Sequence, residues 1–409
     1  MSREKVTRTD VARVAGTSVA VVSYVVNNGP RPVAEATRAR VLAAIESTGY
    51  RPDGIARALA SGSTRTFGLI VPNIANPFVA ALAHAIEGAA YRRGFTLLLG
   101  DSADDPAREA DLVGTFLQHR IDGLLFYGVD RDHPWLDQAV GKVPVVVLDE
   151  PPAGPGIIGV RVDERAASAA ATRHLIEHGR DAVAIITGPL EQQNARDRRD
   201  GWRDALGDAA RADLQIEGTY TRGGGYLAGR ALLERETRPD AVFASNEQQA
   251  LGLLAAAAEL GVRVPEDLAV ICFNGTTNAE YSIPALSTIE QPIEAISDRA
   301  IDLLIRSDRA EYPVTVCDVE LVRRRSCGCE YRRTPSERAL RAATGSAGEQ
   351  RAAEQSAAER QASEQSEVEH PAVAQPAVAQ PAAKRPTTEQ ATVGRTAAER
   401  PGSRTGASA

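Results

Sequence analysis

The stretch Val6–Asn28, VTRTDVARVAGTSVAVVSYVVNN, contains two short helical patterns separated by a break that includes a glycine. Thr7 and Asp10 have the spacing of a capping box, in which a hydroxyl serves the first turn of a helix and a carboxylate reaches back. Val11 and Val14 fall on one face of this first helix. The stretch therefore predicts a helix-turn-helix, whose second helix enters a DNA major groove.

The second helix begins after Ser18, which can cap it, and Gly16 allows the left-handed turn between the two helices. Its inward stripe is predicted to consist of Val22, Val25 and Val26. Its outward side is then formed by Val19, Ala20, Ser23, Tyr24 and Asn27. A third helix is predicted from Ala34 to Thr48 and should end at Gly49. Its inward face is predicted to consist of Val41, Leu42 and Ile45.

This stretch, with the sequence that follows it to about Arg325, resembles the lactose/galactose repressor family of bacterial transcription regulators. The resemblance rests on five phrases in order, VTRTDVARVAG, VVSYVVNN, TRARVLAAIESTGYRPDGIARALASG, FGLIVPNIANPF and IPALSTIEQP. An ordered set across roughly 320 residues is more specific than a helix-turn-helix alone. It implies a homodimeric, sequence-specific repressor of a pseudo-palindromic operator, controlled by a small-molecule effector such as a sugar or a related metabolite.

The resemblance also implies which residues contact double-stranded DNA. Base edges would be contacted by Val19, Ala20 and Tyr24, a set similar to the galactose-repressor branch, and phosphates by Thr7, Ser18, Ser23 and Asn27. Valine and alanine offer no hydrogen bonds, so direct readout is expected to be sparse. The alternative is that Val19 and Ala20 belong to the core.

A hinge helix in GIARALAS would add Arg57 and Leu59 to the DNA contacts. Leu59 matches the family's lever leucine, which enters the minor groove and kinks the duplex. The alternative is a linker helix whose leucine packs on its own core, because short helices usually need tertiary packing.

The charge of the chain is unevenly distributed. The net charge is −7 over 409 residues, yet ten Arg or Lys face five Asp or Glu in residues 1–65, a surplus of five positive charges. This asymmetry is typical of a small phosphate-binding module on a larger body. The N-terminus lacks an apolar signal segment, apolar runs are too short to span a membrane, and four cysteines make no disulfide scaffold. We therefore expect a cytoplasmic bacterial protein.

From Thr66 the pattern changes to alternating strands and helices. One series contains the strands TFGLIVP, FTLLLGD, IDGLLFYG and VPVVVLD, and the next contains IIGVRVD, DAVAIIT, QIEGTY, DAVFAS and LAVICFN. Continuous apolar runs that alternate with helices predict parallel sheets buried on both faces, here in two similar lobes. The resemblance adds that the last elements, a helix at 291–307 and a strand or two in VTVCDVELVRRRS, return to the first lobe, so that three strands cross between lobes.

The predicted fold is an N-terminal all-α helix-turn-helix with a hinge helix, followed by a periplasmic-binding-protein-like α/β core. The expected boundaries are 1–52 for the DNA-binding domain, 53–65 for the hinge and linker, 66–329 for the effector-binding and dimerisation core, and 330–409 for a tail. The tail repeats AVAQP and is rich in Ala, Glu, Gln, Arg and Pro, so it is expected to be disordered.

The effector of such a core is expected in the crevice between the lobes, at the carboxyl ends of the strands. By motif, the resemblance assigns effector-binding roles to Asn76, Phe78, Asp101, Tyr127, Asp149, Arg198, Tyr220, Asn246 and Asn274. Arg198 is the expected fork for hydroxyls or a carboxylate. Glu247 and Gly275 depart from the family's pattern, as does Asn274, which replaces an aspartate. These departures weaken the expectation of a plain neutral sugar.

Three further patterns bear on catalysis and metals. The segment His174–His178 matches H-x-x-E-H, but a solvated helix end with His178 near the C-terminal dipole is favoured. Cys327 and Cys329 give two thiolates where structural zinc needs four ligands, so a free pair is favoured over a redox or metal role. Gly223–Gly225 lacks dinucleotide-binding spacing. We expect no catalytic residue, metal or cofactor; the alternative function is a solute receptor or a sugar-processing enzyme on the same scaffold.

Overall fold

The structure is a computed structural model that describes residues 6–27, 31–51, 62–128, 134–152, 156–306 and 314–331. The predictions for Arg57, Leu59 and the tail beyond residue 331 lie outside the described residues, as does the prediction for the side chain of Asn27.

The first part of the chain, which we call the head (residues 6–51), begins with α1 (Arg8–Ala15), α2 (Val19–Asn27) and α3 (Glu35–Thr48). The axes of α1 and α2 differ by 104° across a three-residue turn, within the range of a helix-turn-helix. The Asp10 carboxylate accepts hydrogen bonds from the backbone N–H and the hydroxyl of Thr7, at 2.9 and 2.8 Å. Gly16, with φ of 61°, ends α1. The predicted capping box and glycine stop are thus confirmed.

Val14, which the spacing placed on one face with Val11, and Leu42, which was predicted to face inward, are both exposed. Val14 is 50% exposed and Leu42 is 51% exposed, whereas Val11 and Val41 are fully buried. The buried face of α1 continues through Ala12 and Ala15, and that of α3 through Ala44. At 100° per residue, Val14 and Leu42 lie about 100° from the centres of these faces. The buried faces of α1 and α3 are therefore completed by alanines, which permit close helix packing, and not by Val14 and Leu42.

The body of the protein contains two six-stranded sheets within the residues that the structure describes. In chain order the strands are β1 (Thr66–Val71), β2 (Thr96–Asp101), β3 (Gly123–Phe126), β4 (Val145–Val147), β5 (Ile157–Val162), β6 (Val183–Thr187), β7 (Gln215–Glu217), β8 (Ala241–Ala244), β9 (Ala269–Asn274), β10 (Ser287–Glu290), β11 (Val314–Cys317) and β12 (Glu320–Val322). The first sheet has the order β11-β5-β4-β3-β1-β2 and the second β12-β10-β9-β8-β6-β7. Each of these pairings is parallel except that of β10 with β12.

The helices of the body connect these strands. They are α4 (Pro77–Arg92), α5 (Pro106–Gln118), α6 (Glu164–Glu177), α7 (Gln193–Leu206), α8 (Arg222–Leu233), α9 (Glu247–Glu259), α10 (Thr277–Tyr281) and α11 (Ile293–Ile305). Short 3-10 helices lie at Pro134–Gln138, Gly207–Ala209, Ala212–Leu214 and Arg325–Cys327. No single helix of the described residues is long and apolar enough to span a membrane; the bent pair α1 and α2 passes only when counted together.

The chain passes between the two lobes three times, as the resemblance implied. It leaves the first sheet after β5, returns after β10 to form α11 and β11, and leaves again to form β12. One assignment was wrong, because β5 (IIGVRVD) belongs to the first sheet, beside β4 and β11, and not to the second series. The strand–helix alternation runs on across this point, so its periodicity marks no boundary between lobes.

Not all strands are buried on both faces. Leu99 on β2 is 44% exposed, and Val314 and Val316 on β11 are 46% and 49% exposed. These two strands form opposite edges of the first sheet, where one side lacks a neighbouring strand. The expectation of doubly buried strands therefore holds for the central strands, such as β3 and β8, whose residues are all buried.

Candidate nucleic-acid interface and ligand cleft

The outward face of α2 carries small side chains that contribute little to the core. Val19 is 42% exposed and Ala20 is also exposed, while Val22 and Val25 are buried against α1 and α3. The alternative that Val19 and Ala20 are core residues is therefore wrong. Ser23 and Tyr24 are half-buried on the same helix, so all four side chains are at least partly accessible to solvent.

Two hydroxyls predicted to contact phosphates make hydrogen bonds at the N-termini of their own helices. The Ser18 Oγ accepts a hydrogen bond of 3.3 Å from the Val21 backbone N–H at the start of α2. The Thr7 hydroxyl donates to Asp10, and hydrogen bonds from the Thr7 backbone and side chain lower the pKa of the Asp10 carboxyl. Ser18 and Thr7 are both exposed. Each can therefore hold its helix and still offer a hydroxyl oxygen to a neighbouring phosphate.

The basic residues of the head divide into two groups. Arg8 donates from Nε to the Tyr50 hydroxyl at 3.1 Å, and Arg40 donates from Nε to the Ala15 carbonyl at 3.3 Å. These arginines hold α1 against the third helix and the residues that follow it. Arg31 and Arg51 are exposed, so their charge adds to the positive surface of the head.

A narrow cleft, with free space of about 20 Å³, lies at the carboxyl ends of β3, β4 and β5. Phe78, Tyr127 and Asp149 line it, as the sequence predicted for a ligand site. The rings of Phe78 and Tyr127 meet edge to face, with centroids 6.3 Å apart. Glu164 and Gln291, which the sequence analysis missed, complete its polar lining together with Arg161.

Arg198 is engaged by protein groups on several sides. Its side chain is 2% exposed, and it donates to both carboxylate oxygens of Glu164, at 2.6 and 3.0 Å. A third hydrogen bond of 2.5 Å reaches the Ser245 carbonyl, and the guanidinium lies 4.1 Å from the centroid of the Phe273 ring. Burial alone would lower the pKa of Arg198, but the charge of Glu164 outweighs it and raises that pKa. The fork predicted for the effector is therefore already filled by Glu164.

Asp149 is the carboxylate of the cleft whose protonation responds to neutral pH. Burial raises the pKa of Asp149 to about 7, and the negative charge of Glu164 adds to the shift. One Asp149 oxygen accepts a hydrogen bond of 2.8 Å from the Glu150 backbone N–H. Burial and the neighbouring Asp149 also raise the pKa of Tyr127. Near neutral pH, Asp149 can thus both donate and accept hydrogen bonds.

Four predicted effector residues hold loops and do not line the cleft. Asn76 and Asn246 cap α4 and α9 through Oδ1, accepting from backbone N–H groups at 3.1 and 2.8 Å. Asp101 accepts from two backbone N–H groups in neighbouring loops. Tyr220 donates to the Asn194 side chain at 2.9 Å. The cleft therefore gathers three of the predicted residues, whereas these four have structural partners.

The departures from the family pattern at positions 247 and 274 have a structural explanation. The Glu247 carboxylate is 2% exposed and accepts from the backbone N–H and hydroxyl of Thr276, at 2.7 and 2.6 Å. It thereby fixes the loop that follows β9. Asn274, with φ of 97°, accepts at 3.0 Å from the Gln291 amide. A carboxylate at position 247 is thus buried under the loop and not aimed at the cleft.

Signals for the two missed residues are present in the sequence. Glu164 follows closely after the strand IIGVRV, at the edge where ligands of parallel sheets bind. Gln291 follows β10, a strand that lies within the motif IPALSTIEQP. A buried arginine requires a partner, so Arg198 also implies a nearby carboxylate such as that of Glu164.

Comparisons with known proteins agree with this architecture. Residues 7–53 match the model of the bacterial regulatory proteins, lacI family, and residues 172–327 match that of the periplasmic binding protein-like domain. The chain is 35% identical over 307 residues to the ribose operon repressor of Escherichia coli (strain K12), and the match covers 73% of this chain and 92% of that protein.

Two further matches extend over most of the chain. The HTH-type transcriptional repressor PurR of Photobacterium profundum is 32% identical over 325 residues, 78% of this chain and 97% of that protein. The solved structure of the lac repressor dimer bound to operator and the anti-inducer ONPF superposes with a TM-score of 0.71 at 25% identity, covering 79% of this chain and 99% of that one.

Proposed function

Because this chain belongs to the lacI family of bacterial regulatory proteins, we propose that the outward face of α2 contacts operator bases and that the cleft at Asp149 binds the controlling effector. The chain is a DNA-binding transcription regulator with an effector-binding domain. Its relatives are transcriptional repressors and not enzymes. We propose the domain boundaries 1–52, 53–65, 66–329 and 330–409, with the hinge residues Arg57 and Leu59 in the second segment.

The observation that carries the DNA-binding role is the exposed pair Val19 and Ala20 on a helix whose opposite side is buried through Val22 and Val25. Exposed apolar side chains make no hydrogen bonds with water, but they can pack against thymine methyl groups in a major groove. Tyr24 lies on the same helix and adds a hydroxyl that can donate or accept. Thr7, Ser18, Ser23 and Asn27 are proposed to contact phosphates beside it.

A homodimer is the proposed assembly. The lac repressor structure that this chain resembles is a dimer bound to operator, and a two-fold pair of heads would place two copies of α2 on a pseudo-palindromic site. A change in the angle between the lobes would alter the spacing of the two hinges. Effector binding would in this way change the affinity for operator without touching the DNA.

The DNA test uses the full-length protein and a pool of random duplexes at a fixed salt concentration. Selection is expected to enrich a pseudo-palindromic sequence, because a dimer presents two equivalent helices. Val19→Glu should then weaken binding to the selected duplex about 100-fold, because a carboxylate is placed against base edges and phosphates.

The matched control is Leu42→Glu, which adds the same charge at a comparably exposed position on α3. It should change affinity by less than about fivefold, since a charge away from the interface acts only through screened electrostatics. Equal loss in both variants, or no enrichment of any sequence, would contradict the assignment of α2.

The charge of the cleft indicates the effector class. Arg198 is neutralised by Glu164, and Arg161 forms an ion pair of 2.8 Å with Glu150, so the cations near the cleft are already matched by carboxylates. Phe78 and Tyr127 offer ring surfaces, and Gln291 offers an amide. We therefore propose that the cleft, whose free space is about 20 Å³, opens to admit a neutral polyhydroxylated ligand with an apolar face, such as a sugar or a nucleoside, and not a sugar acid.

A thermal-shift panel of neutral sugars, nucleosides and sugar acids tests this class. A ligand that binds the folded protein raises its unfolding temperature by mass action. We expect a neutral compound to raise the unfolding temperature, and we expect Asp149→Asn to reduce that rise. Stabilisation by a sugar acid alone, retained in Asp149→Asn, would contradict the proposal while leaving the DNA-binding role intact.

A further inference from the structure

The last turn of α6 and the end of the described chain meet at one point. His174 and His178 lie one turn apart at the end of α6, and Cys327 and Cys329 flank Gly328 after β12. One nitrogen from each histidine and the sulfur of each cysteine all lie within 4.8 Å of one another. In the sequence each pair by itself supplies too few ligands for a metal. The fold brings the two pairs together.

Three nitrogen–sulfur distances within the cluster match the corresponding edges of a zinc tetrahedron. The His174 Nε2 lies 3.4 Å from the Cys327 sulfur and 3.5 Å from the Cys329 sulfur, and the His178 Nε2 lies 3.3 Å from the Cys329 sulfur. Zinc binds sulfur at about 2.3 Å and imidazole nitrogen at about 2.0 Å, so a tetrahedral site separates the two by about 3.5 Å. The histidine rings are not stacked, since their planes are inclined at 67°.

We propose that His174, His178, Cys327 and Cys329 form a structural Zn²⁺ site that fastens the end of the core to α6. Two thiolates and two imidazoles in tetrahedral arrangement are the donor set that selects zinc among divalent metals. Four protein ligands leave no open position for water or substrate, so the site is structural and not catalytic. The free thiol pair and the solvated helix end that the sequence favoured are thereby replaced by one site.

The surroundings of the site suit a bound thiolate. The Ser287 hydroxyl lies 3.0 Å from the Cys327 sulfur and can donate a hydrogen bond to it, an outer contact of the kind that orients metal ligands. Cys327 is fully buried and His174 is 6% exposed, whereas His178 is exposed and Cys329 is half-buried. A metal ion can therefore reach the site from the His178 side.

The site would join α6 to the end of β12 and to the segment that follows it, a segment already held by hydrogen bonds such as that from the Ser326 hydroxyl to the Val270 carbonyl at 2.6 Å. The strand β12 is three residues long and, among the described strands, pairs only with β10 at the edge of the sheet. The segment Arg325–Cys327 follows it as a single 3-10 turn. The four ligands come from two segments far apart in the sequence, so the unfolded chain does not hold them together. Metal binding would therefore stabilise the folded state, in which this segment lies against α6.

The first test is the metal content of the full-length protein, purified without a histidine tag and dialysed after exposure to zinc. We expect about one zinc per chain by mass spectrometry of the metals, and near zero for Cys329→Ser and for His178→Ala. Cys317→Ser and His84→Ala are the matched controls, since both residues lie outside the cluster. Both controls should retain their zinc.

The second test does not depend on the folding of any variant. The wild-type protein, stripped of zinc and given Co²⁺, should show the visible absorption of a tetrahedral site and a sulfur-to-cobalt charge-transfer band. Added Zn²⁺ should displace the Co²⁺ and abolish these absorption bands. Two results would overturn the proposal. One is that the wild-type protein binds no stoichiometric metal. The other is that the protein purified under reducing conditions lacks metal and contains a disulfide between Cys327 and Cys329. Neither result bears on DNA or effector binding.

Discussion

The outward face of α2 and the cleft at Asp149 hold the side chains proposed to bind DNA and effector in opposite ways. On α2, Val19 and Ala20 project into solvent and serve little in the packing of the head. At the cleft, Glu164 lines the wall with its side chain 11% exposed and is paired with Arg198, which is buried behind it. We therefore expect that substitutions on the proposed DNA surface of α2 leave the stability of the protein nearly unchanged, whereas substitutions at the cleft alter binding and stability together.

The largest expected effect follows from breaking the buried pair. Arg198→Ala leaves the Glu164 carboxylate buried without its partner, which should lower the free energy of unfolding by about 3–5 kcal/mol. Urea unfolding of the full-length protein measures this loss. The double variant Arg198→Met with Glu164→Leu should recover much of it, because no uncompensated charge remains.

The chain supplies a matched control for that change. Arg165 and Asp204 also join α6 to α7 through paired hydrogen bonds of 2.6 and 2.8 Å, but both residues are exposed. Arg165→Ala should leave the urea midpoint nearly unchanged, since solvent screens exposed ion pairs. A similar loss in Arg165→Ala and Arg198→Ala would remove the contrast between the cleft and a solvated surface.

The next effect concerns pH and Asp149. Its pKa in the folded protein is about 7, above the value of about 3.9 for an unfolded chain, so the folded state binds the extra proton between these values. Stability should therefore fall as the pH rises through this window, and Asp149→Asn should abolish that part of the slope. The difference between wild type and variant should reach at most about 4 kcal/mol above pH 7.

Urea unfolding at pH 5, 6, 7 and 8 measures this slope. Asp111→Asn, at an exposed position on α5, provides the control and should follow the wild-type profile. Parallel profiles for wild type and Asp149→Asn would mean that Asp149 is already ionised at pH 5 and that the cleft does not desolvate it.

The smallest effect is expected on α2. Tyr24→Phe removes one hydroxyl from a half-buried ring, so affinity for the selected duplex should fall by no more than about tenfold. Urea unfolding should hardly change. Gel shifts at one salt concentration give the affinity. A large loss of stability with little loss of affinity would mean that Tyr24 belongs to the core of the head and not to its DNA surface.

Local patterns in the sequence predicted the local structure well. The Thr7–Asp10 capping box, the Gly16 and Gly49 stops and the strand–helix alternation all follow from contacts between near neighbours. The periodicity failed at Val14 and Leu42 because two helical faces about 100° apart can both look apolar, and only the packing partners decide between them.

Contacts between distant residues could not be read from such patterns. Glu164 and Arg198 are 34 positions apart, and the lobe to which β5 belongs depends on its pairing with β4 and β11. The four histidine and cysteine ligands lie on two segments more than a hundred residues apart, and each segment by itself is an incomplete site. In every case the missing information is which strand edges and helix ends meet in space.

The most direct test of the account is the linkage between the two regions. Anisotropy titrations of the full-length protein with the selected duplex, at fixed salt, are performed with and without the ligand found by thermal shift. The account predicts that the ligand changes the Kd for the duplex by about tenfold or more, and that the duplex changes the Kd for the ligand by the same factor. Unchanged affinities in both directions would contradict it.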